Sequence, residues 1–422
     1  MAKIKLITSR EILNAKGQPT LETAVVLADG AIGIASVPSG TSVGKYEAYE
    51  LRDNDPKRYN GNGVLTAISN VEKIIAPVLV GIEANGQQEI DKRLIEMDGT
   101  KAKTKYGANA ILSVSMAVAK AAARSMSLPL FLYLREYIKN STTTLKIPIP
   151  CFNLINGGKH GEGNLDFQEF LVIPASSKKF PESLELGANV YSALKKIIQT
   201  NNLSSLVGLE GGFSPKLATN VDALLLLKQA IEQSNLRMGF DMFIGLDSAS
   251  DNFFDDGKYK IEDRSSDLSS KDMVSFYVMV NNDYHLLYLE DGLAQDDWSG
   301  WQELSTQMSQ QTIIIGDDLT ATNPFRLQEA IAKKAITGIV IKPNQIGTVI
   351  EALAVSEMAR QGGLKIIVSH RSGETNDDFI ADFAVAVSAD YVKFGAPARG
   401  ERVAKYNRLL QIENQLRSLQ VK

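Results

Sequence analysis

The stretch Leu286-Leu287-Tyr288-Leu289-Glu290 is an apolar run that ends in one carboxylate, and it decides the fold because its pattern recurs along the chain. A helical stretch follows each run, and from Glu290 onward the run ends lie about 25 residues apart, the length of one strand-plus-helix unit. The other runs of this kind are Phe243–Asp247, Ile313–Asp317, Ile339–Lys342, Ile366–His370 and Asp390–Lys393.

This succession of units predicts an α/β fold. Continuous apolar strands that alternate with helices form parallel sheets whose faces are covered. The run of units favours a closed α/β barrel over an open sheet, and in such barrels the active site lies at the C-terminal ends of the strands. We therefore expect the residues that end the runs to converge in one place.

The N-terminal third of the chain follows a different pattern. Three short apolar runs linked by Gly and Asn predict antiparallel strands at Lys3–Ile7, Leu21–Leu27 and Ala31–Val37. The Ala-rich stretch Ala108–Ala123 predicts a buried helix, and the polar stretch Asn140–Thr144 is the best candidate for a linker. The sequence thus predicts an N-terminal α+β domain over residues 1–140 and a barrel over residues 141–422.

Composition excludes several classes of protein. The chain has 422 residues, 45 Lys and Arg against 49 Asp and Glu, and a formal charge of −4, which argues against a nucleic-acid-binding protein. No apolar run approaches the ~20 residues of a membrane span, and the first residues lack the apolar core of a signal peptide. The single cysteine, Cys151, excludes an internal disulfide and a multi-cysteine metal site. We expect a cytoplasmic protein.

Three of the run ends, Asp247, Glu290 and Asp317, are carboxylates. A single charged residue after a strand is usually a helix cap or a loop residue, but six in succession are not explained as caps, because Lys and His do not cap helix N-termini. Hard oxygen ligands without cysteine favour Mg²⁺. The alternative is a salt-bridge network in which Lys342 and Lys393 neutralise the carboxylates.

The two lysines also predict chemistry. An ammonium beside Mg²⁺ and a second ammonium has a lowered pKa, so such a lysine can act as a general base near neutral pH. Together these groups predict proton abstraction next to a carboxylate, with the developing charge held by metal and by the other lysine. His370-Arg371-Ser372-Gly373 is a candidate phosphate clamp. Three Gly-rich segments predict loops that close over a site: Pro38–Gly44, Asn156–Asn164 and Gly208–Gly212.

Specific motifs then identify a family. The chain resembles enolases over essentially its whole length, with the motifs in the family's order and spacing. The motifs are Gly107–Leu112, Gln168-Glu169-Phe170, Glu210-Gly211-Gly212, Asp296-Asp297-Trp298, Gly316–Thr320, Lys342 with Asn344–Gly347, Ser369–Thr375 and Lys405-Tyr406-Asn407. The resemblance implies an N-terminal α+β capping domain and a modified TIM barrel whose first strands are partly antiparallel. It also implies reversible dehydration of 2-phosphoglycerate to phosphoenolpyruvate.

The resemblance implies a metal site and oligomerisation. Asp247, Glu290 and Asp317 would be ligands of a first Mg²⁺, and Ser42 would help to bind a second that arrives with the substrate. The family also implies a homodimer or a dimer-based octamer, glycolysis as the setting, and a surface or secreted fraction besides the cytoplasmic one.

The same resemblance implies catalytic roles. Lys342 would take the C2 proton, Lys393 would neutralise the substrate carboxylate, and Glu210 would be the general acid for the C3 hydroxide, supported by Glu169 and Gln168.

Other positions are implied to bind substrate. His160 would enter on a closing loop, Arg371 and Ser372 would hold the phosphate, and His370 would lie beside them. The substrate-binding set implied by the resemblance is His160, Gln168, Glu169, Asp317, Lys342, Arg371, Ser372 and Lys393.

Several positions depart from the family's pattern. Leu209 stands where Asp is usual before Glu210, and Val43, Glu162 and Gly292 replace usual residues in other loops. An apolar neighbour should raise the pKa of Glu210, whereas the loss of an Asp partner could misplace its carboxylate. Two alternatives follow from these departures: a related lyase acting on another phosphorylated acid, or a non-catalytic binding protein on the same scaffold.

Overall fold

The computed structural model describes residues 2–40, 44–139, 144–161 and 165–420. These residues form two compact units. One unit contains residues 1–146, 341–358 and 370–388, and the other contains residues 147–340, 359–369 and 389–422. The predicted linker lies largely outside the described residues, as does Ser42.

The first unit is built on a three-stranded antiparallel sheet, as the sequence predicts. Its strands β1 (Ile4–Leu13), β2 (Pro19–Leu27) and β3 (Ile32–Ser36) pair in the order β1-β2-β3. Its helical segments are α1 (Leu65–Asn70), a π-helical turn (Val71–Ile75), α2 (Ala76–Leu79), α3 (Gln87–Asp98), α4 (Ala108–Ser125) and α5 (Leu130–Arg135).

Helix α4 confirms the predicted Ala-rich helix and packs closely on this sheet. A Cβ placed on Gly33 of β3 would lie 2.0 Å from the carbonyl oxygen of Ala117 in α4, so only glycine lets the strand and the helix approach this closely. The Cβ of Ala121 in α4 would lie 2.9 Å from the same added atom, so a small residue in the helix serves the same close contact.

The second unit contains a closed barrel of eight strands. The strands are β4 (Ile149–Asn156), β5 (Glu169–Pro174), β6 (Met242–Asp247), β9 (Leu286–Glu290), β10 (Ile313–Gly316), β11 (Gly338–Ile341), β12 (Lys365–Ser369) and β13 (Tyr391–Gly395). A small hairpin of β7 (Phe254–Asp255) and β8 (Lys258–Tyr259) lies between β6 and β9 in the chain. Strand β5 runs antiparallel to both β4 and β6. This confirms the modified barrel that the family resemblance implied.

Helices follow the barrel strands along the chain. They are α6 (Phe180–Thr200), α7 (Asn220–Gln233), α8 (Ser270–Tyr284), α9 (Trp298–Met308), α10 (Pro324–Ala332), α11 (Pro343–Ile346), α12 (Val349–Gln361), α13 (Phe379–Ala386) and α14 (Gly400–Gln420). Across the part of the chain that the structure describes, no helix combines the length and apolar character that a membrane crossing requires.

The interior of the barrel is a layer of apolar side chains, one from nearly every strand. This layer is Cys151, Leu171, Ile173, Tyr288, Ile315, Val340, Ile367 and Tyr391. Because side chains alternate between the two faces of a strand, the residue two positions along from each of these points to the same side. The residues above this layer are therefore the ones that can form a site.

Candidate active site

A polar layer lies directly above the apolar interior, and strand alternation accounts for its members. Two positions after Tyr288 and Tyr391 come Glu290 and Lys393, and two positions before Leu171 on the reversed strand β5 comes Glu169. Lys342 directly follows β11 in the chain and belongs to the first unit. Glu290 and Lys393, two of the strand ends that the sequence singled out, thus continue the barrel's core pattern.

Lys393 lies among three buried carboxylates. Its Nζ donates to Glu290 Oε1 at 2.7 Å and to Asp247 Oδ2 at 3.0 Å, and it lies 3.3 Å from Glu169 Oε2. Strand register explains the convergence, because Asp247 is paired with Glu290 on one side and with Glu169 on the other. The side chains are at most 2% exposed, so these charges interact without much screening by water.

This cluster contains three carboxylates and one ammonium, and the pKa values of its members reflect that composition. Burial and the charge of Asp247 raise the pKa of Glu290 well above its usual range, although Lys393 opposes them. Burial lowers the pKa of Lys393, but Asp247, Glu169 and Glu290 more than offset it and raise that pKa well above its usual value. The lowered pKa that the sequence predicts is that of a lysine beside bound Mg²⁺ and a second ammonium, and it stays a prediction.

A second buried cluster adjoins the first through Glu169. The Nδ1 atom of His160 lies 3.3 Å from Glu210 Oε2 and 3.6 Å from Glu169 Oε1. Burial lowers the pKa of His160, but the charges of Glu210 and Glu169 outweigh it and raise that pKa to about 9. Burial and the charge of Glu210 raise the pKa of Glu169 to about 7. The cluster therefore retains a proton near neutral pH and can deliver it to a neighbouring group.

Acidic groups at the barrel rim can hold a divalent cation. Within the described residues, one group of ligand atoms within 4.8 Å of one another is Asp291, Asp317 and Asp318, and the other is His160, Glu169 and Glu210. The predicted ligands Asp247, Glu290 and Asp317 are not together in either of these groups of described residues. Lys393 donates to Asp247 and Glu290. Burial first, and then the charge of Asp247, raise the pKa of Glu290, and a bound divalent cation would oppose both effects by favouring the charged carboxylate.

Asp291 is a rim residue to which the sequence assigned no role. Its two carboxylate oxygens accept hydrogen bonds from the backbone N–H groups of Asp317 and Asp318, at 2.9 Å and 2.8 Å. It thereby fixes the backbone on which Asp317 stands. Gln168, predicted to bind substrate, lies beside Asp247, with Nε2 at 3.4 Å from Oδ2.

The candidate phosphate clamp belongs to the other unit. The guanidinium of Arg371 donates to Glu47 through two nitrogens, at 2.9 Å and 3.2 Å, and to the amide oxygen of Asn344 at 3.2 Å. His370 and Ser372 beside it are also buried. Glu47 lies more than 300 positions earlier in the chain, so no local pattern could have revealed this pair.

The departure at Leu209 leaves its backbone well anchored. The N–H of Leu209 donates to the carbonyl of His160 at 2.9 Å, and its own carbonyl accepts from Arg402 at 3.0 Å. Leu209 and His160 both line a cavity of about 760 Å³ that also carries the cationic side chains of Lys159 and Arg399. These backbone bonds hold the segment before Glu210 without the usual Asp.

Comparison with protein families covers nearly the whole chain. The model of the enolase N-terminal domain matches residues 4–134. The model of the enolase C-terminal TIM barrel domain matches residues 144–421.

Proposed function

The chain belongs to the enolase family, and from that premise we propose that it is a hydro-lyase that converts 2-phospho-D-glycerate reversibly to phosphoenolpyruvate. One observation carries the proposal. Glu169 lies 3.3 Å from Lys393 and 3.6 Å from His160, so a cluster suited to holding a carboxylate substrate adjoins one suited to donating a proton. Elimination of water requires both functions side by side.

The donor set fits Mg²⁺ as the cofactor. Asp247, Glu290 and Asp317 offer the hard oxygen ligands that Mg²⁺ prefers, and Ser42, outside the described residues, would serve a second ion by family resemblance. When bound, Mg²⁺ supplies positive charge where the substrate carboxylate gains negative charge.

Lys342 is the proposed base. It stands at the end of barrel strand β11 and would accept the C2 proton, breaking the C2–H bond. Lys393, whose raised pKa keeps it an ammonium, would balance the negative charge that then develops on the substrate carboxylate.

Glu210 is the proposed general acid. It would give a proton to the C3 hydroxyl as the C3–O bond breaks, so that water leaves and the C2–C3 double bond forms. His160 and Glu169 support this step, because their raised pKa values keep a proton next to the Glu210 carboxylate near neutral pH. Gln168 would help to orient the same side of the pocket.

The phosphate would be held by Arg371 and Ser372, with His370 beside them. Arg371 is paired with Glu47 in this structure, so a phosphate would compete with that carboxylate for the guanidinium. We further propose, on family grounds alone, a cytoplasmic glycolytic enzyme that forms a homodimer or a dimer-based octamer.

The direct test is turnover of purified protein with 2-phosphoglycerate, followed by the ultraviolet absorbance of the enol product. We expect fast turnover with Mg²⁺ and loss of turnover with a chelator, restored when Mg²⁺ is added back. A folded protein that binds Mg²⁺ yet yields no product would refute this function and favour a related lyase with another phosphorylated substrate.

A further inference from the structure

Asn153 contacts Glu210 from the barrel wall. Its Nδ2 donates a 2.8 Å hydrogen bond to Glu210 Oε2, and both side chains are buried. Asn153 lies in β4, two positions after the core residue Cys151, so it belongs to the same polar layer as Glu169, Glu290 and Lys393. A strand of a closed barrel holds a side chain more precisely than a loop does.

Glu210 itself stands on a much less regular segment. It lies between Gly208 and the pair Gly211-Gly212, and Gly211 adopts a positive φ of 89° that suits only glycine. A carboxylate on such a loop needs a fixed partner to hold it for proton transfer, because transfer requires hydrogen-bond distance to the reacting oxygen.

From these contacts we propose that Asn153 is a positioning residue for catalysis, which holds the Glu210 carboxylate in place for protonation of the leaving C3 hydroxyl. The inference rests on the proposed function of Glu210. Asn153 acts through Glu210 and touches no reacting atom. It therefore belongs to the elimination step and not to the removal of the C2 proton.

The rest of the amide shows how its orientation is set. Asn153 Oδ1 is buried without a protein partner among the described residues, and so are both amide atoms of Asn156. A Cβ added to Gly212 would lie 3.1 Å from Asn153 Oδ1 and 2.9 Å from Asn156 Oδ1. Both amide oxygens thus face Gly212, which leaves the Asn153 nitrogen, the only part that can donate, directed at the acceptor Glu210.

The test separates the two chemical steps with an Asn153→Leu variant, which keeps roughly the side-chain volume and removes the donor. We measure kcat and KM for product formation and, in deuterated water, exchange of the C2 proton of 2-phosphoglycerate. We expect kcat to fall about 100-fold, the scale of misplacing a catalytic group, while KM and the exchange rate stay within about threefold.

Asn281→Leu is the matched control. Asn281 is also a buried amide of the barrel unit, and it donates to Gln311 at 3.1 Å, so its loss should leave kcat within about twofold. If Asn153→Leu fails to fold, Asn153→Ser and Gly212→Ala test the same contact, and each should lower kcat about 10-fold with exchange preserved.

The proposal is overturned if product formation and exchange fall by the same factor, or if kcat is unchanged in every folded variant. Failure of the proposed function would look different. In that case the wild-type protein itself would show neither product nor C2 exchange with 2-phosphoglycerate, before any variant is compared.

Discussion

Two buried ion-pair arrangements in this molecule are built in opposite ways. In the barrel unit, Lys393 serves three carboxylates within 3.3 Å, whereas in the other unit Arg371 is bonded through two nitrogens to the single carboxylate of Glu47. The second arrangement is neutral as it stands. The first places three carboxylates around one ammonium, and burial together with the charge of Asp247 raises the pKa of Glu290.

This difference predicts how readily each arrangement accepts a ligand. A buried charge that its neighbours leave uncompensated is costly, so an excess of buried carboxylates marks a site made for an added cation. A matched pair needs nothing further, and a ligand that takes one member must displace the other. The barrel cluster should therefore be stabilised by a bound cation. A ligand of Arg371 should bind less tightly, because it must displace Glu47.

Removal of Lys393 should have the largest effect. Lys393→Ala removes the ammonium that contacts three buried carboxylates, so we expect product formation to fall at least about 1,000-fold. Lys260→Ala is the control, because Lys260 pairs with the exposed Asp255 and should leave the rate unchanged. Steady-state kinetics on both folded variants measures the effect. Near-normal turnover by Lys393→Ala would contradict the proposed role of the cluster in holding the substrate carboxylate.

Glu210→Gln should have the second-largest effect on product formation. It should also separate loss of the C3 hydroxyl from removal of the C2 proton. It keeps the contact to Asn153 but lacks the acidic proton, so we expect kcat to fall on the order of 100- to 1,000-fold. Exchange of the C2 proton should continue, because it depends on Lys342. Measured loss of exchange together with product formation would show that Glu210 acts in the earlier step.

Asp91 is a third kind of buried carboxylate, because its hydrogen-bond donors among the described residues are neutral groups and not a lysine or an arginine. It accepts from Gln87 and from the backbone N–H of Ile350, both at 2.9 Å. Burial raises its pKa to about 7, so the folded protein keeps a proton that the unfolded chain loses above about pH 4. Folding stability should therefore fall as pH rises between these values, by about 2 kcal/mol from pH 5 to pH 7.

The check is urea unfolding at pH 5 and pH 7 for the wild type and Asp91→Asn. The variant has no proton to lose, so its difference in unfolding free energy between the two pH values should be smaller by that amount. Equal pH dependence in the two proteins would show that Asp91 is charged in the folded state.

Glu47→Gln should have the smallest effect, and in the opposite direction. Removing the charge that competes for Arg371 should strengthen binding of the substrate phosphate and lower KM about threefold, because a neutral amide competes less well for the guanidinium. Glu22→Gln, which removes a carboxylate from the more exposed pair with Arg10, should leave KM unchanged. An increase of KM in Glu47→Gln would instead mean that Glu47 orients Arg371 for the phosphate.

Much of the barrel could be predicted because its parallel strands carry their polar residue at the end of an apolar run. Asp247, Glu290 and Lys393 follow that rule, and the structure brings them together. Strand β5 runs the other way, so its polar residue, Glu169, stands at its beginning, and only the family motif pointed to it. The antiparallel sheet and helix α4 were also predicted from the spacing of their apolar residues.

Other parts of the site had no local signal. Asn153 lies inside strand β4, before Leu154 and Ile155, and its role appears only when Cys151 is known to face the interior. The Arg371–Glu47 pair joins residues distant in the chain, which periodicity cannot detect. The raised pKa of Lys393 depends on how many carboxylates register brings within reach, and the sequence alone does not fix that number.

The central claim is that the barrel cluster holds more negative charge than Lys393 balances. Titration of Mg²⁺ alone into the purified protein, followed by calorimetry and by the thermal unfolding midpoint, tests it most directly. We predict measurable binding and a rise in the midpoint for the wild type, because a ligand that binds only the folded state stabilises it, and at least about tenfold weaker binding for Asp247→Asn. No heat of binding and an unchanged midpoint in a folded wild-type protein would contradict the account.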